Sequence, residues 1–281
     1  GELRTEAGVD KFIVKNGKAV GVALDNGDEV HANVVVSAMD VKRTFLTCMD
    51  KSDLPEKFHQ RVENFKIRGS SGKINIALDG LPTFPALPKD SPLYLADIHF
   101  TDSMERMERA YDDWKDGTWS KDPYIDMTIP TTNDPTMAPP GKHFMSCFVQ
   151  YCPRQINGRD WTQEDKDGFQ KSVFDQISNY SPDFEDLVLH AEVRTPQDIE
   201  NEIGITEGNI FHGELTMDQL MFNRPVPGFA QYRSPIGGLY MCGSSNHPGG
   251  GIMGAPGANA AREILMDLKR PNTVPENFGD D

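Results

Sequence analysis

The sequence predicts a mixed α/β protein, α+β overall, in which a unit built around parallel strands is split by a long middle region. Three observations predict it. Two Asn-Gly dipeptides, Asn16-Gly17 and Asn26-Gly27, punctuate alternating segments near the start and mark a β-meander. Val34, Val35 and Val36 then make the unbroken β-branched run of a strand buried on both faces, as a parallel sheet requires. Near the other end, Leu239, Tyr240 and Met241 form a short strand between glycines. A glycine-rich loop follows, and then a helical stripe at Ala260, Ala261, Ile264, Leu265 and Leu268.

Residues 10–14 and 19–24 alternate in polarity, residues 28–31 continue the meander, and residues 32–37 are nearly all apolar. Both Asn-Gly pairs are expected to form type I′ turns, because that turn needs positive φ at both central residues. Asp40 is placed to cap a helix over residues 41–49. Leu54-Pro55-Glu56 opens another, with Phe58, Val62 and Phe65 on one face. Residues 71–78 read as a strand with Ile74, Ile76 and Leu78 to one side, and the proline-rich residues 81–92 as a loop. Residues 103–115 form a charged helix whose stripe of Met104, Met107, Tyr111 and Trp114 reads as core.

Strands at 124–129 and 143–151 flank a turn-rich connection. A long helix at 162–180 carries Phe169, Val173, Phe174 and Ile177, and a strand follows at 187–193. Thr195 before Pro196 caps a further helix. The domain reading is therefore 1–48 for the meander and returning strand, 49–234 for the inserted domain, 235–270 for the closing strand, loop and helix, and 271–281 for a polar tail.

Composition excludes several classes. The net charge of −15 argues against a nucleic-acid partner, whose phosphates it would repel. It also argues against broad adsorption to anionic membranes, while leaving a local, peripheral membrane contact open. No apolar run approaches the roughly 18 residues that span a bilayer. Cys48, Cys147, Cys152 and Cys242 make no Cys-x-x-Cys pair and read as reduced, part-buried thiols of an intracellular protein. Cys147 and Cys152, five apart along one strand and its end, are expected on opposite faces. The expected location is the cytoplasm, or the mitochondrial matrix in a eukaryote. No metal-ligand spacing, Ser-His-Asp order or paired-carboxylate spacing stands out, so no catalytic residue or metal site is assigned.

The loop after residue 241 is the candidate site. Gly249, Gly250 and Gly251 carry no Cβ, so backbone there can approach a ligand closely, and the helix beyond offers unpaired N–H groups to an anion or electron-rich heterocycle. A tight structural turn fits the same glycines. The run from Cys242 to Leu265, with His247-Pro248-Gly249-Gly250-Gly251 at its core and Gly254-Ala255-Pro256-Gly257 after it, resembles the C-terminal flavin-binding signature of the phytoene-desaturase-like FAD-dependent oxidoreductases. The likeness is strongest to one bacterial and mitochondrial branch of that family. Gly17-Lys18-Ala19-Val20-Gly21-Val22, Asp25-Asn26-Gly27 and residues 32–38 resemble the family's meander leading back into its FAD domain.

The resemblance implies a glutathione-reductase-like FAD domain, seen here as its C-terminal half and split by a substrate domain with an antiparallel sheet and helices. It implies FAD beside Gly243, Ser244, Ser245, His247, Gly249, Gly250, Gly251, Ile252 and Met253, with N–H groups near Ile252 and Met253 facing the flavin pyrimidine. His247 either contacts the flavin or orients the loop. A second run, Gly208-Asn209-Ile210-Phe211-His212-Gly213-Glu214, with Gln219 and Arg224 beyond it, also resembles the family and would bring Asn209 and His212 toward the ring or the substrate; a tight turn holding a hydrogen-bonded His fits equally.

The implied reaction is desaturase- or dehydrogenase-type hydride transfer from an apolar or long-chain substrate to flavin N5. The family's N-terminal strand–Gly-x-Gly-x-x-Gly–helix segment, which cradles the FAD pyrophosphate, has no counterpart between Gly1 and Asp40, and the glycines from Gly243 to Gly257 lie at the other end and have a different job. The chain is therefore expected to act with that missing segment as its partner, and alone to be inactive and to hold FAD weakly or not at all. A homo-oligomer stays open. So does a non-catalytic interaction module that keeps the flavoprotein fold.

Overall fold

A computed structural model describes residues 1–88 and 91–269; the tail expected at 271–281 lies outside the described residues. The chain divides into two compact units, Gly1–Ile67 with Asn209–Asp281, and Arg68–Gly208. The central unit is narrower than the expected 49–234. Leu54, Phe58, Val62, Phe65 and Val226 belong to the same apolar cluster as Phe12, Phe45 and Leu239, which fixes residues on both sides of the insert to the first unit.

The first unit opens with β1 (Val9–Lys15), β2 (Lys18–Leu24) and β3 (Glu29–His31) as an antiparallel meander. Asn16 and Gly17 have φ of +53° and +70°, as a type I′ turn demands. The second turn is different: only Gly27 is left-handed, its N–H donates to the Leu24 carbonyl, and Leu24 N–H donates to Asp28. That is the three-residue bulged loop, which needs one positive φ rather than two.

β4 (Val35–Ser37) follows. Its Val35 is buried, but Val36 is 44% exposed, so the strand buries one face and not the expected two. Asp40 does cap the next turn, its Oδ1 accepting the Arg43 N–H at 2.9 Å. That turn is a π-type helix over Arg43–Thr47, shorter than the expected span. α1 (Glu56–Glu63) then buries Phe58 and Val62.

The central unit is a five-stranded antiparallel sheet. Its strands are β5 (Ser71–Leu78), β6 (Ile98–Phe100), β7 (Tyr124–Thr128), β8 (His143–Gln150) and β9 (Val188–Arg194), in the spatial order β6-β7-β8-β5-β9. Alternation works here as the sequence implies: Ile74, Ile76, Leu78, Ile125, Met127, Met145, Cys147 and Val149 are all fully buried on one face. Each of the Ile, Leu, Met and Val side chains among them contributes about 1.5–3 kcal/mol of burial, by the usual scale for such groups.

Between β6 and β7 runs α2 (Met104–Lys115), and across the buried face lies α3 (Gln163–Ser178), which packs Phe169, Val173 and Ile177 into the same cluster. Gly72 lets α3 approach, since a Cβ there would meet the Phe169 ring at 2.8 Å. Thr162 and Thr195 form capping boxes with Asp165 and Asp198 at the starts of α3 and α4 (Pro196–Ile203).

Two expectations fail in this unit. Cys147 and Cys152 do not face opposite ways; both are fully buried in one core, because the chain turns after Gln150 and Cys152 N–H bonds back to Ser70. The α2 stripe is not core: Trp114 is buried, yet Met104 is 79% and Met107 38% exposed. Met104, Met107, Glu108, Tyr111 and Tyr151 line a shallow pocket of about 240 Å³ instead.

The chain closes with β10 (Leu239–Met241) and α5 (Ala255–Lys269) in the first unit. β10 pairs in parallel with β4, from Leu239 opposite Val35 to Met241 opposite Ser37. The expected stripe on α5 is largely unburied: Ala260 is buried, but Leu265 and Leu268 are 56% and 61% exposed. Polar anchors dock the helix instead. Arg233 donates two bonds to the Asp267 carboxylate at 2.7 and 2.8 Å and pairs with Glu263, while Tyr240 O–H donates to Asp267 at 2.9 Å.

Candidate functional site

β4 and β10 end side by side, and the chain leaves β10 through Gly243. A Cβ on Gly243 would run into the Ala38 carbonyl oxygen just beyond β4. The glycine is thus required by the protein's own backbone. Gly250 is less constrained, since a Cβ there would lie 3.3 Å from the Phe211 ring and 3.4 Å from Ser244 Oγ, both side-chain atoms. Gly249, at φ +101°, has more room. Gly243 therefore has a packing reason of its own, whatever the loop beyond it holds.

Ser245 is fully buried and joins three segments. Its hydroxyl accepts the Val41 N–H at 3.0 Å and donates to the His212 carbonyl at 2.7 Å. Ser244 contributes its carbonyl, which accepts two bonds from Arg224, from Nε at 3.0 Å and Nη2 at 2.9 Å. The Arg224 guanidinium also donates to the carbonyls of Phe211, Glu214 and Gly213 and lies 5.9 Å from the Phe65 ring centre. It is wholly buried, and burial pulls its pKa down to about 10, which leaves it a cation at neutral pH.

The structure thus brings the two sequence-predicted runs together. Asn209 is 5% exposed, and its Oδ1 accepts the N–H groups of Phe211 and Gly213, so its amide builds the turn. His212 follows at φ +53°, with a buried Nδ1 that has no hydrogen-bond partner. Burial lowers its pKa; Arg224 adds to that and Asp40 opposes it. Asn246, wholly buried, donates to the Gly243 carbonyl and leaves Oδ1 unpartnered.

Other predicted residues lie apart from this frame. The His247 side chain is exposed, and its carbonyl accepts the Tyr232 hydroxyl at 2.8 Å, a structural part. Tyr232 in turn accepts from Asn259 of α5, so the loop's two ends are tied together. Gly251, Ile252 and Met253 are exposed. Ile252 sits at φ +64°, where a β-branched residue pays about 1–2 kcal/mol.

Among the described residues the N–H groups from Gly250 to Met253 have no partner in the chain, and they precede α5. Free donors leading into a helix start fit an anion or an electron-rich ring edge. The unpartnered Nδ1 of His212 and Oδ1 of Asn246 lie in the same pair of turns. No group of three or more His, Cys, Asp or Glu able to hold a metal occurs among the described residues. No helix among them is long and apolar enough to cross a membrane.

No protein-family model matches the chain. Curated proteins and solved structures do. The chain is 41% identical over 273 residues to pyridine nucleotide-disulfide oxidoreductase domain-containing protein 2 of Mus musculus, covering 94% of this chain and 47% of that protein. It is 24% identical over 271 residues to phytoene desaturase (lycopene-forming) of Pseudescherichia vulneris, covering 95% and 51%. The chain resembles one half of a phytoene-desaturase-like FAD-dependent oxidoreductase. It spans about half the length of the curated relatives it matches. Cyclohexylamine oxidase from Brevibacterium oxydans IH-35A shares the fold, with a TM-score of 0.53 at 14% identity over 93% of this chain and 48% of that one. Arg224 is the residue of this frame to which the sequence reading gave no role. Its only local signal was a lone cation directly before Pro225-Val226-Pro227.

Proposed function

We propose that this chain supplies the C-terminal, ring-facing wall of an FAD-dependent oxidoreductase of desaturase or dehydrogenase type, acting on an apolar or long-chain substrate. One observation carries the reading: Ser245 and Arg224 lock the 209–214 turn to the glycine-rich loop, leaving a run of free N–H donors from Gly250 to Met253. When bound, FAD supplies the two-electron acceptor for hydride removed from the substrate. The chain's own residues bind and orient. The N–H groups of Gly250, Gly251, Ile252 and Met253 would hold an electron-rich ring edge, and the start of α5 would add its positive dipole end. His212 and Asn246 offer unpartnered polar atoms in the same frame. Leu215, 50% exposed beside Gly249, gives an apolar contact suited to a hydrocarbon substrate.

Purified protein tests this by visible absorbance. With a Gly-x-Gly-x-x-Gly segment joined upstream, the protein is expected to carry stoichiometric FAD and to show the flavin bands. The 281-residue chain alone is expected to be colourless or nearly so. Colourless protein in both forms overturns the flavin reading in favour of a non-catalytic module.

A further inference from the structure

Arg224 has an unusual set of partners. All five of its hydrogen bonds go to backbone carbonyl oxygens: two to Ser244 and one each to Phe211, Glu214 and Gly213. None of these carbonyls belongs to a helix or a strand. Among the described residues no carboxylate pairs with the guanidinium, although it is fully buried. A buried cation that only filled space would be better replaced by an apolar side chain. Here the planar fork does what a β-ladder does elsewhere, satisfying the carbonyls of two turns that have few bonds to each other. Lysine carries the charge but cannot reach carbonyls in two directions from one plane.

We infer that Arg224 is the positioning residue of the glycine-rich loop, fixing the 243–246 turn against the 209–214 turn so that the donors from Gly250 to Met253 are set for an anionic ligand. A second consequence follows from the charge. Carbonyl dipoles satisfy the guanidinium without neutralising it, so its field reaches the loop and favours a ligand that carries or gains negative charge. This second part rests on the proposed FAD function; the first part does not.

The test uses the protein with a Gly-x-Gly-x-x-Gly segment joined upstream, as wild type and with Arg224→Met and Arg224→Lys. Amide hydrogen exchange is followed at Phe211, His212, Gly213, Asn246 and Gly249, whose N–H groups are bonded within the two turns. All three tryptophans, Trp114, Trp119 and Trp161, lie in the central unit, so their emission reports whether that unit is intact. Arg224→Met is expected to speed exchange at those amides at least tenfold, with β1–β3 protection and Trp emission unchanged, and to raise the FAD dissociation constant at least tenfold. Arg224→Lys is expected to give a smaller increase in exchange and a flavin midpoint potential closer to wild type than that of Arg224→Met.

Wild-type protection of both turns in any folded variant overturns the inference. So does faster exchange spread evenly over the whole first unit, which would mark a general core residue. If Arg224→Met does not fold, Arg224→Lys is read by the same two criteria. If the wild-type protein binds no FAD, the flavin reading falls while the exchange measurement still decides the role of Arg224.

Discussion

The Ser245 hydroxyl donates to the His212 carbonyl at 2.7 Å while accepting the Val41 N–H at 3.0 Å, so one small side chain ties the glycine-rich loop to two sequence-distant segments. Val41 is fully buried, and water cannot replace the lost partner. Ser245→Ala is therefore expected to cost roughly 1–3 kcal/mol, the range for stranding buried backbone groups. Chemical denaturation followed by circular dichroism measures it. Trp emission, which reports the central unit, should keep its wild-type midpoint if the units melt independently.

Gly243→Ala should be worse. The added methyl meets the Ala38 carbonyl, which is backbone held by the adjoining strand pair and has little room to give. A loss of about 2 kcal/mol or more is expected, at the upper end of overpacking effects. A wild-type unfolding midpoint for this variant would show that the strand ends are looser than the contact implies.

The contrast between these residues and the rest of the site explains what the sequence could reveal. Local codes were legible: Asn16-Gly17 turned as its φ requirement dictates, and Thr195 capped the helix that opens at Pro196. The inward face of β5 followed from alternation alone. Partners distant in sequence were not legible. Periodicity says which residues share a face, not what covers it, so the stripes at Met104 and Met107 and at Leu265 and Leu268 were misread as buried. The anchors that dock α5 join Arg233 to Asp267, 34 residues apart, and no local pattern announces such a pair. Arg224 escaped for the same reason, since its partners are carbonyls, which every residue has.

Tyr240 gives a prediction at high pH. Burial, then the hydrogen bond to Asp267, pushes its pKa up to about 12. The unfolded value is near 10, so the folded state holds the proton more tightly. The resulting stability is complete below pH 10 and is lost as pH rises toward 12. Tyr240→Phe should lose less stability than wild type across that window, and parallel curves for the two proteins would refute the linkage.

The cysteines should differ sharply in reactivity. Cys48, Cys147 and Cys152 are at most 1% exposed, while Cys242 is partly exposed. Burial raises all four thiols, Cys147 to about 12 and Cys152 well above its ordinary value. Since the thiolate is the reactive form, a thiol reagent at pH 8 should modify Cys242 first and slowly, and the other three only after unfolding. Peptide mapping of the labelled protein reads the order directly. Rapid labelling of Cys147 or Cys152 in native protein would mean that the central core opens far more readily than its packing indicates.

His212 supplies the complementary prediction in acid. Its pKa is lowered chiefly by burial; Asp40 pulls the other way, and Arg224 adds a smaller lowering. The ring is therefore neutral at pH 7, and the folded state binds its proton less readily than the unfolded chain, whose value is near 6.5. By linkage, the stability tied to this residue is complete above pH 6.5 and is lost as pH falls through the depressed folded value. Charging the ring places a second cation beside the buried Arg224, so the 209–214 turn should loosen before the meander does. Asn tolerates the left-handed φ of +53° at this position and cannot charge, which makes His212→Asn the matched control. The ring-proton NMR resonance lost in that variant identifies His212 among the seven histidines. Its midpoint is expected below 6.5, and exchange at Phe211 and Gly213 should rise over the same pH range in wild type but not in His212→Asn. A midpoint at or above 6.5 would mean that Asp40, not burial, governs the ring, and the sign of the stability change would reverse.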